Sequence, residues 1–339
     1  MSVGPTCGTA VATSVGQGRV RASLLGRATL RGAIARPWRA DAPANDASVL
    51  RVNRSHSWWG RKVAHLPDRG VLLAATDLQG NWDDYQTLKD IYAREEEAGN
   101  EPILLLCGDL VHGPGQSFAN PSDWPDFLGT FYRDRSRELI LDYERFARSA
   151  RTLALLGNHE HAHIGGPIVS KFHADEAAVL DDKLGPEAGR IHDFIASWPL
   201  LAVAPCGAVF THGAPGATEP DLESFERLRY DGYSRVGIND IYERGTVGAL
   251  LWTRYAEPVQ ARALLQAVRG DKSGFVMFGH DVVRDGFEKV GAEQICVSTS
   301  FGCEDRAKVY VRLELDQTYA SVEALRVGHE ILPLYPDAT

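Results

Sequence analysis

An α/β fold is what this chain of 339 residues predicts, on three observations. Apolar runs of strand length recur along the sequence. Amphipathic stretches of helical period stand between them, and Gly/Pro clusters with cap-like residues punctuate both. In order, "VLLAAT" (71–76) reads as a buried strand, and "NWDDYQTLKDIYAREEEAG" (81–99) as a helix. That helix carries Trp82, Tyr85, Leu88, Ile91 and Tyr92 on one face. "ILLLC" (103–107) is the second strand, "FYRDRSRELILDYERFARSA" (131–150) a long helix and "TLALL" (152–156) the third strand. "LLAVA" (200–204) and "AVFT" (208–211) are strand pieces in a mostly helical middle. "FVMF" (275–278), "QICVST" (294–299) and "KVYVRLEL" (308–315) complete the set, and the last two read as antiparallel.

Composition bounds the function. Hydrophobic residues make up 44% and charged residues 24%, ordinary for a globular chain long enough to bury a core without staples. The five cysteines show no metal-type or redox-type spacing and read as reduced thiols of a cytoplasmic protein. No apolar run reaches the roughly 18 residues of a membrane span. Six of the 36 basic residues and none of the 45 acidic ones fall in residues 1–40, leaving a formal −15 on the rest. An acidic body argues against broad nucleic-acid binding. The Arg-rich segment 1–48 is expected to be a disordered tail or, by composition, an organelle import sequence. Residues 49–339 would then form the domain, with insertions near 161–199 and 213–272 shaping the substrate site.

Five of the strands run into loops rich in oxygen and nitrogen donors. "TDLQGN" offers Asp77, Gln79 and Asn81, and "GDLVHGPG" offers Asp109 and His112. "GNHE" gives Asn158, His159 and Glu160, "THGAPG" gives His212, and "FGHD" gives His280 and Asp281. Singly, each has an ordinary reading: Asp77 as a turn former, Asp109 as a helix cap, a loop histidine as a surface residue. Together they can converge, because ligands of α/β sheets gather beyond the carboxyl ends of the strands. Mixed Asp, His and Asn ligation suits Mn, Fe or Zn, with Mg possible for a harder donor set. Two such ions roughly 3.5–4 Å apart clamp the attacking and leaving oxygens of a displacement at phosphorus.

"DLQGN", "GDLV", "GNHE", "HG" and "GH", in that order over about residues 71–315, resemble the calcineurin-like metallophosphoesterases. "FGHDVVRDGFEKV" (278–290) and "VSTSFGCEDRAKVYVRLEL" are similar to segments of the phosphoprotein phosphatase branch. "GDLVHGPG" also resembles the symmetrical diadenosine tetraphosphate hydrolases. The resemblance implies two packed β-sheets flanked by helices, with helical cap insertions. It implies two divalent ions, one on Asp77, Gln79 and Asp109, the other on Asp109, Asn158, His212 and His280, with Asp109 bridging. A metal-bridging hydroxide would attack phosphorus, and His159 would protonate the leaving oxygen. The implied substrate is a phosphomonoester, phosphoserine or phosphothreonine of a protein first. A dinucleoside polyphosphate or nucleotide is the alternative, and a phosphate-binding protein without turnover the reading of another class.

Three positions depart from the pattern. Gln79 replaces the histidine of the first motif and shifts preference toward harder ions such as Mn or Mg. His112 stands where the branch has an aspartate that orients the general acid, and Gly113 where it has a phosphate-gripping arginine. Arg244 is the first candidate to replace that grip, with Asn158 beside it on the substrate, and Arg235 and Arg254 follow. Val282 stands where nuclease-type members carry a second histidine. His161 and His163 receive no role and read as loop residues.

Overall fold

The computed structural model describes residues 58–115 and 118–338. The expected tail 1–48 lies outside them. In chain order the strands are β1 (Val63–His65), β2 (Val71–Ala75), β3 (Ile103–Leu106), β4 (Thr152–Ala154), β5 (Leu201–Val203), β6 (Ala208–Thr211), β7 (Phe275–Phe278), β8 (Phe287–Val290), β9 (Gln294–Val297), β10 (Val309–Glu314) and β11 (Ile331–Pro333). The helices are α1 (Trp82–Glu97), α2 (Ser136–Phe146), α3 (Asn158–His161), α4 (Glu176–Leu184), α5 (Ala188–Ala196), α6 (Leu222–Glu226), α7 (Thr246–Trp252) and α8 (Pro258–Arg269). Single turns of 3₁₀-helix join several of them.

Two sheets result. One has six strands in the order β1-β5-β6-β7-β9-β8, the other five in the order β11-β10-β2-β3-β4. Within the second, β2, β3 and β4 are parallel and the returning β10 is antiparallel to β2. Strand alternation sorts the side chains: Leu72, Ala74, Ile103 and Leu105 meet Phe210, Phe275, Met277 and Ile295 of the other sheet in one core. The opposite faces, through Leu73, Ala75, Leu104, Leu106 and Val276, join the helical residues Leu88, Leu139, Ile195 and Leu264 in another. The molecule is a two-sheet sandwich flanked by helices, as expected.

One local expectation fails. The helix read over 131–150 begins only at Ser136, because the Asp134 carboxylate accepts hydrogen bonds from the Ser136 N–H and hydroxyl and Asp134 bridges to Asn81. The region from "QICVST" to "VYVRLEL" is largely antiparallel, as read, through the pairs β8–β9, β10–β2 and β10–β11. β9 runs parallel to β7 and pairs antiparallel with β8, whereas β10 lies in the other sheet.

One buried ion cluster ties the start of α1 to the start of β10. Asn81 caps α1, its side-chain oxygen accepting from the Asp84 N–H. The Asp84 carboxylate receives Lys308 Nζ at 2.9 Å, Tyr335 OH at 2.6 Å and Asn81 Nδ2 at 2.8 Å. Lys308 and Asp84 keep only 2% and 1% of their side-chain surface. Lys308→Met is expected to cost about 3–5 kcal/mol by leaving the Asp84 charge buried without its cation. Urea unfolding measures it, and a cost under about 1 kcal/mol would show that water reaches Asp84.

Candidate active site

All five donor loops leave the carboxyl ends of their strands at one edge of the sandwich, after β2, β3, β4, β6 and β7. Their backbone is strained in a consistent way. Of the six non-glycine residues with positive φ among the described residues, five are Asp77, Gln79, Asp109, His112 and His280. Such conformations cost on the order of 1–3 kcal/mol each and persist where the surroundings enforce them. The enforcement is visible. Glu160, fully buried, accepts the N–H groups of Asp109 at 2.9 Å, Leu110 at 2.7 Å and Val111 at 3.2 Å, which fixes the "GDLV" turn. Asp77 accepts the His280 N–H on both carboxylate oxygens, at 3.2 and 3.1 Å. Gly108 has φ +85°, and a Cβ there would lie 2.7 Å from both Gly157 Cα and His212 Nδ1, so only glycine lets the second, third and fourth loops close up.

The side chains that these turns aim inward form a donor set. Ligand atoms of Asp109, His212 and His280 lie within 4.8 Å of one another. His212 Nδ1 is held by the Cys107 carbonyl at 2.8 Å, and its Nε2 faces Asn158 Oδ1 at 2.9 Å and Asp109 Oδ1 at 3.3 Å. Burial drives the imidazole of His280 well below its usual pKa, leaving it neutral and able to offer a lone pair. Burial also raises Asp77 and Asp109 to about 7, and for Asp77 the neighbouring charge of Asp109 adds to it. A neutral His280, the His212 imidazole, an amide oxygen and two buried carboxylates are the donors of a divalent cation site, and these residues fit one.

A cavity of about 390 Å³ opens beside this set, lined by Asp77, Gln79, His280, Lys171, Arg254, Arg284, Val282, Phe127 and Phe301. Lys171 Nζ donates to Gln79 Oε1 at 3.3 Å and sits 3.6 Å from the Phe301 ring centroid. Much of the lysine is open to solvent, but its ammonium is desolvated where it meets the cavity. That lowers its pKa to about 8, against the opposing pull of Asp109 and Asp77. Arg254 is held at the rim by the His280 carbonyl at 2.8 Å and by Asp281 at 2.7 Å. Arg244, the arginine preferred from sequence, is exposed at the end of the 3₁₀ turn Ile241–Glu243 and is not among the cavity residues. Arg235 is likewise exposed.

Behind the donor set lies a second cluster. His159 Nε2 faces Asp109 Oδ2 at 3.7 Å, while its Nδ1 lies 3.1 Å from His112 Nδ1 and 3.2 Å from Glu176 Oε2. His112 is therefore beside His159, where the sequence placed it, but a carboxylate from the start of α4 is there too. His161 and His163 are not idle loop residues. His161 is fully buried in α3 with Nε2 2.6 Å from the Tyr230 carbonyl. His163 Nε2 meets His112 Nε2 at 2.9 Å, and its Nδ1 meets Asp181 Oδ1 at 2.9 Å, an oxygen shared with His192 Nε2 at 2.8 Å. Partial burial opposes the charge on Asp181, but the hydrogen bonds from both imidazoles outweigh it and hold its pKa below the carboxylate range.

Lys171 and Glu176 are the residues that sequence reasoning missed. No strand precedes them, and Asp175–Glu176 reads as a helix start; Asp175 does cap α4 through the Ala178 N–H at 3.0 Å.

Among the described residues no helix is long and apolar enough to cross a membrane. No curated protein sequence matches the chain. Solved structures resemble it in fold. A serine/threonine protein phosphatase from Saccharomyces cerevisiae is 13% identical, with 75% of this chain and 77% of that one covered and a TM-score of 0.48. A cold-active protein-tyrosine phosphatase from a psychrophilic Shewanella is 14% identical, with 75% and 78% covered and a TM-score of 0.47. For a metallophosphoesterase from Sphaerobacter thermophilus the values are 14%, 75% and 86%, and 0.39. The sequence profile of the calcineurin-like phosphoesterases matches residues 70–284, well over half of the chain and the whole span from Asp77 to His280. The chain therefore belongs to the calcineurin-like phosphoesterase family, metal-dependent hydrolases of phosphoric esters.

Proposed function

We propose that this hydrolase cleaves phosphomonoesters, with phosphoserine and phosphothreonine side chains of proteins as its substrate class. Asp77, Gln79 and Asp109 would hold one divalent ion, and Asp109, Asn158, His212 and His280 the other. The observation that supports this most is the meeting of Asp109, His212 and His280 donor atoms beside a cavity that also carries Lys171 and Arg254. When bound, the ions supply a water ionised near neutral pH and offset charge on the phosphoryl oxygens. The chain's own groups do the rest. Lys171 and Arg254 attract and orient the phosphate dianion, the task first expected of Arg244. Asn158, whose Oδ1 lies 2.9 Å from His212 Nε2, would offer its amide to the same phosphate. His159 keeps a proton on Nε2 for the leaving oxygen. With an amide oxygen at Gln79 in place of an imidazole, manganese is the ion expected to serve best.

Phe127, 58% exposed, and Phe301 also line the cavity, and an aromatic face there favours a nucleotide as the second reading. Phosphate release from a phosphoserine peptide, diadenosine tetraphosphate and an aryl phosphate, with Mn, Mg, Zn and Fe(II) in turn, separates the two. Manganese-dependent release from the peptide over the dinucleotide is the expected result. Preference for the dinucleotide would transfer the function to the second reading. No release with any ion would leave only phosphate binding.

A further inference from the structure

One of three buried atoms that meet next to the proposed centre lacks a partner that chemistry requires. His112 Nδ1, His159 Nδ1 and Glu176 Oε2 form a triangle with edges of 3.1, 3.2 and 3.5 Å, and the side chains are 1%, 5% and 1% exposed. Glu176 Oε1 accepts the Phe172 N–H, but Oε2, though buried, finds no hydrogen bond. A buried carboxylate oxygen left alone is costly and points to a missing cation or proton.

The hydrogen-bond pattern around the triangle decides how many protons it can hold. Asp181 accepts only, so His163 donates to it from Nδ1. His112 Nε2 meets His163 Nε2 at 2.9 Å, and with the shared hydrogen on His112 its Nδ1 is left bare. His159 Nε2 is 3.7 Å from the Asp109 carboxylate, too far for a hydrogen bond, and its Nδ1 is 3.2 Å from Glu176 Oε2, so a proton on this edge of the triangle is what an ion would displace. Two imidazole nitrogens and a carboxylate oxygen thus face one another, a donor set that a cation fits in place of a proton.

We propose that His112, His159 and Glu176 bind a further divalent ion, zinc by the nature of the donors, distinct from the two ions held by the strand-end loops. A point equidistant from the three atoms lies about 1.9 Å from each, and a slight lift out of their plane gives the roughly 2.0–2.1 Å of zinc–imidazole bonds. The supports are those of a metal ligand: His112 passes its other N–H to His163, which is fixed by Asp181, and His192 fixes Asp181 in turn. Coordination through Nδ1 leaves His159 Nε2 free, and a cation on the far nitrogen makes its N–H a stronger acid. The ion would thus serve where the branch uses an aspartate, which rests on the functional reading above; the binding itself does not.

The test counts zinc. Wild type, Glu176→Gln, His112→Gln and Asp109→Asn are stripped with chelator, loaded with excess Zn²⁺, desalted and analysed for metal per chain, with thermal melts as a check on folding. Glu176→Gln and His112→Gln are each expected to bind one zinc fewer than wild type. Asp109→Asn is expected to retain that ion, and when loaded with Co²⁺ to show the intense visible absorption of a low-coordinate nitrogen–oxygen site. Equal zinc in wild type and both folded triangle variants would overturn the site, since a shared proton then fills it, and so would an Asp109→Asn protein that binds no metal. If Glu176→Gln misfolds, the His112→Gln count decides. Loss of an ion in a chain that hydrolyses nothing would sink the proposed function and spare the site, whereas hydrolysis with unchanged zinc does the reverse.

Discussion

Asp109→Asn is expected to lower kcat/KM for phosphate release by about a thousandfold, which corresponds to the several kcal/mol of charge compensation that metal ions contribute to phosphoryl transfer. The substitution keeps the shape of the side chain. Glu160 still holds the backbone at 109 through the N–H groups of Asp109, Leu110 and Val111, so the turn has no reason to move. What disappears is the negative charge that would join both ions, and one oxygen of the set shared with His212 and His280. An asparagine also removes a carboxylate that burial already holds near pH 7, so the metal-free variant should fold at least as well as wild type. Steady-state kinetics with a phosphopeptide, run beside a metal count, measure the effect. A loss below tenfold would mean that Asp109 joins no ions and that the assignment of the donor set is wrong.

His159→Asn is the second large effect, and its size should depend on the substrate. General acids contribute about 10²–10⁴-fold when the departing oxygen is basic, and little when it leaves unaided. Phosphoserine has an alkoxide leaving group, so kcat should fall within that range, whereas a nitrophenyl phosphate should lose less than about tenfold. The contrast matters because His159 also lies 3.7 Å from Asp109, and a general disturbance of the centre would slow both substrates equally. A uniform loss across leaving groups would remove His159 from the role of acid and leave it as a prop for the donor loops.

Much of the fold was legible because buried strands announce themselves as continuous apolar runs: β2, β3, β6 and β7 were read within a residue or two. The strands that escaped notice, Val63–His65, Phe287–Val290 and Ile331–Pro333, are all sheet edges, where short length and mixed polarity are the rule. The donor loops were legible for a related reason. An apolar run that stops at Asp77, Asp109, Asn158, His212 or His280 is a local signal, whatever the rest of the chain does. Lys171 and Glu176 carried no such signal, because their relevance arises only when α4 packs and brings the segment before it over the cavity. The helix at 131–150 was overread because "FYRDR" has helical composition, and nothing in composition reveals that Asp134 turns back on Ser136.

The donor loops are shared unequally between the two sheets. Asp77, Asp109 and Asn158 follow strands of the five-stranded sheet, and His212 and His280 follow strands of the six-stranded one. An ion held by Asp109 and His212 therefore rivets one sheet to the other across the edge of the sandwich. Such an ion would have to give up donors from both sheets before it left. On that ligand set metal exchange would be coupled to the closure of the sandwich edge, and ions that bind the closed form alone would favour it in proportion to their occupancy.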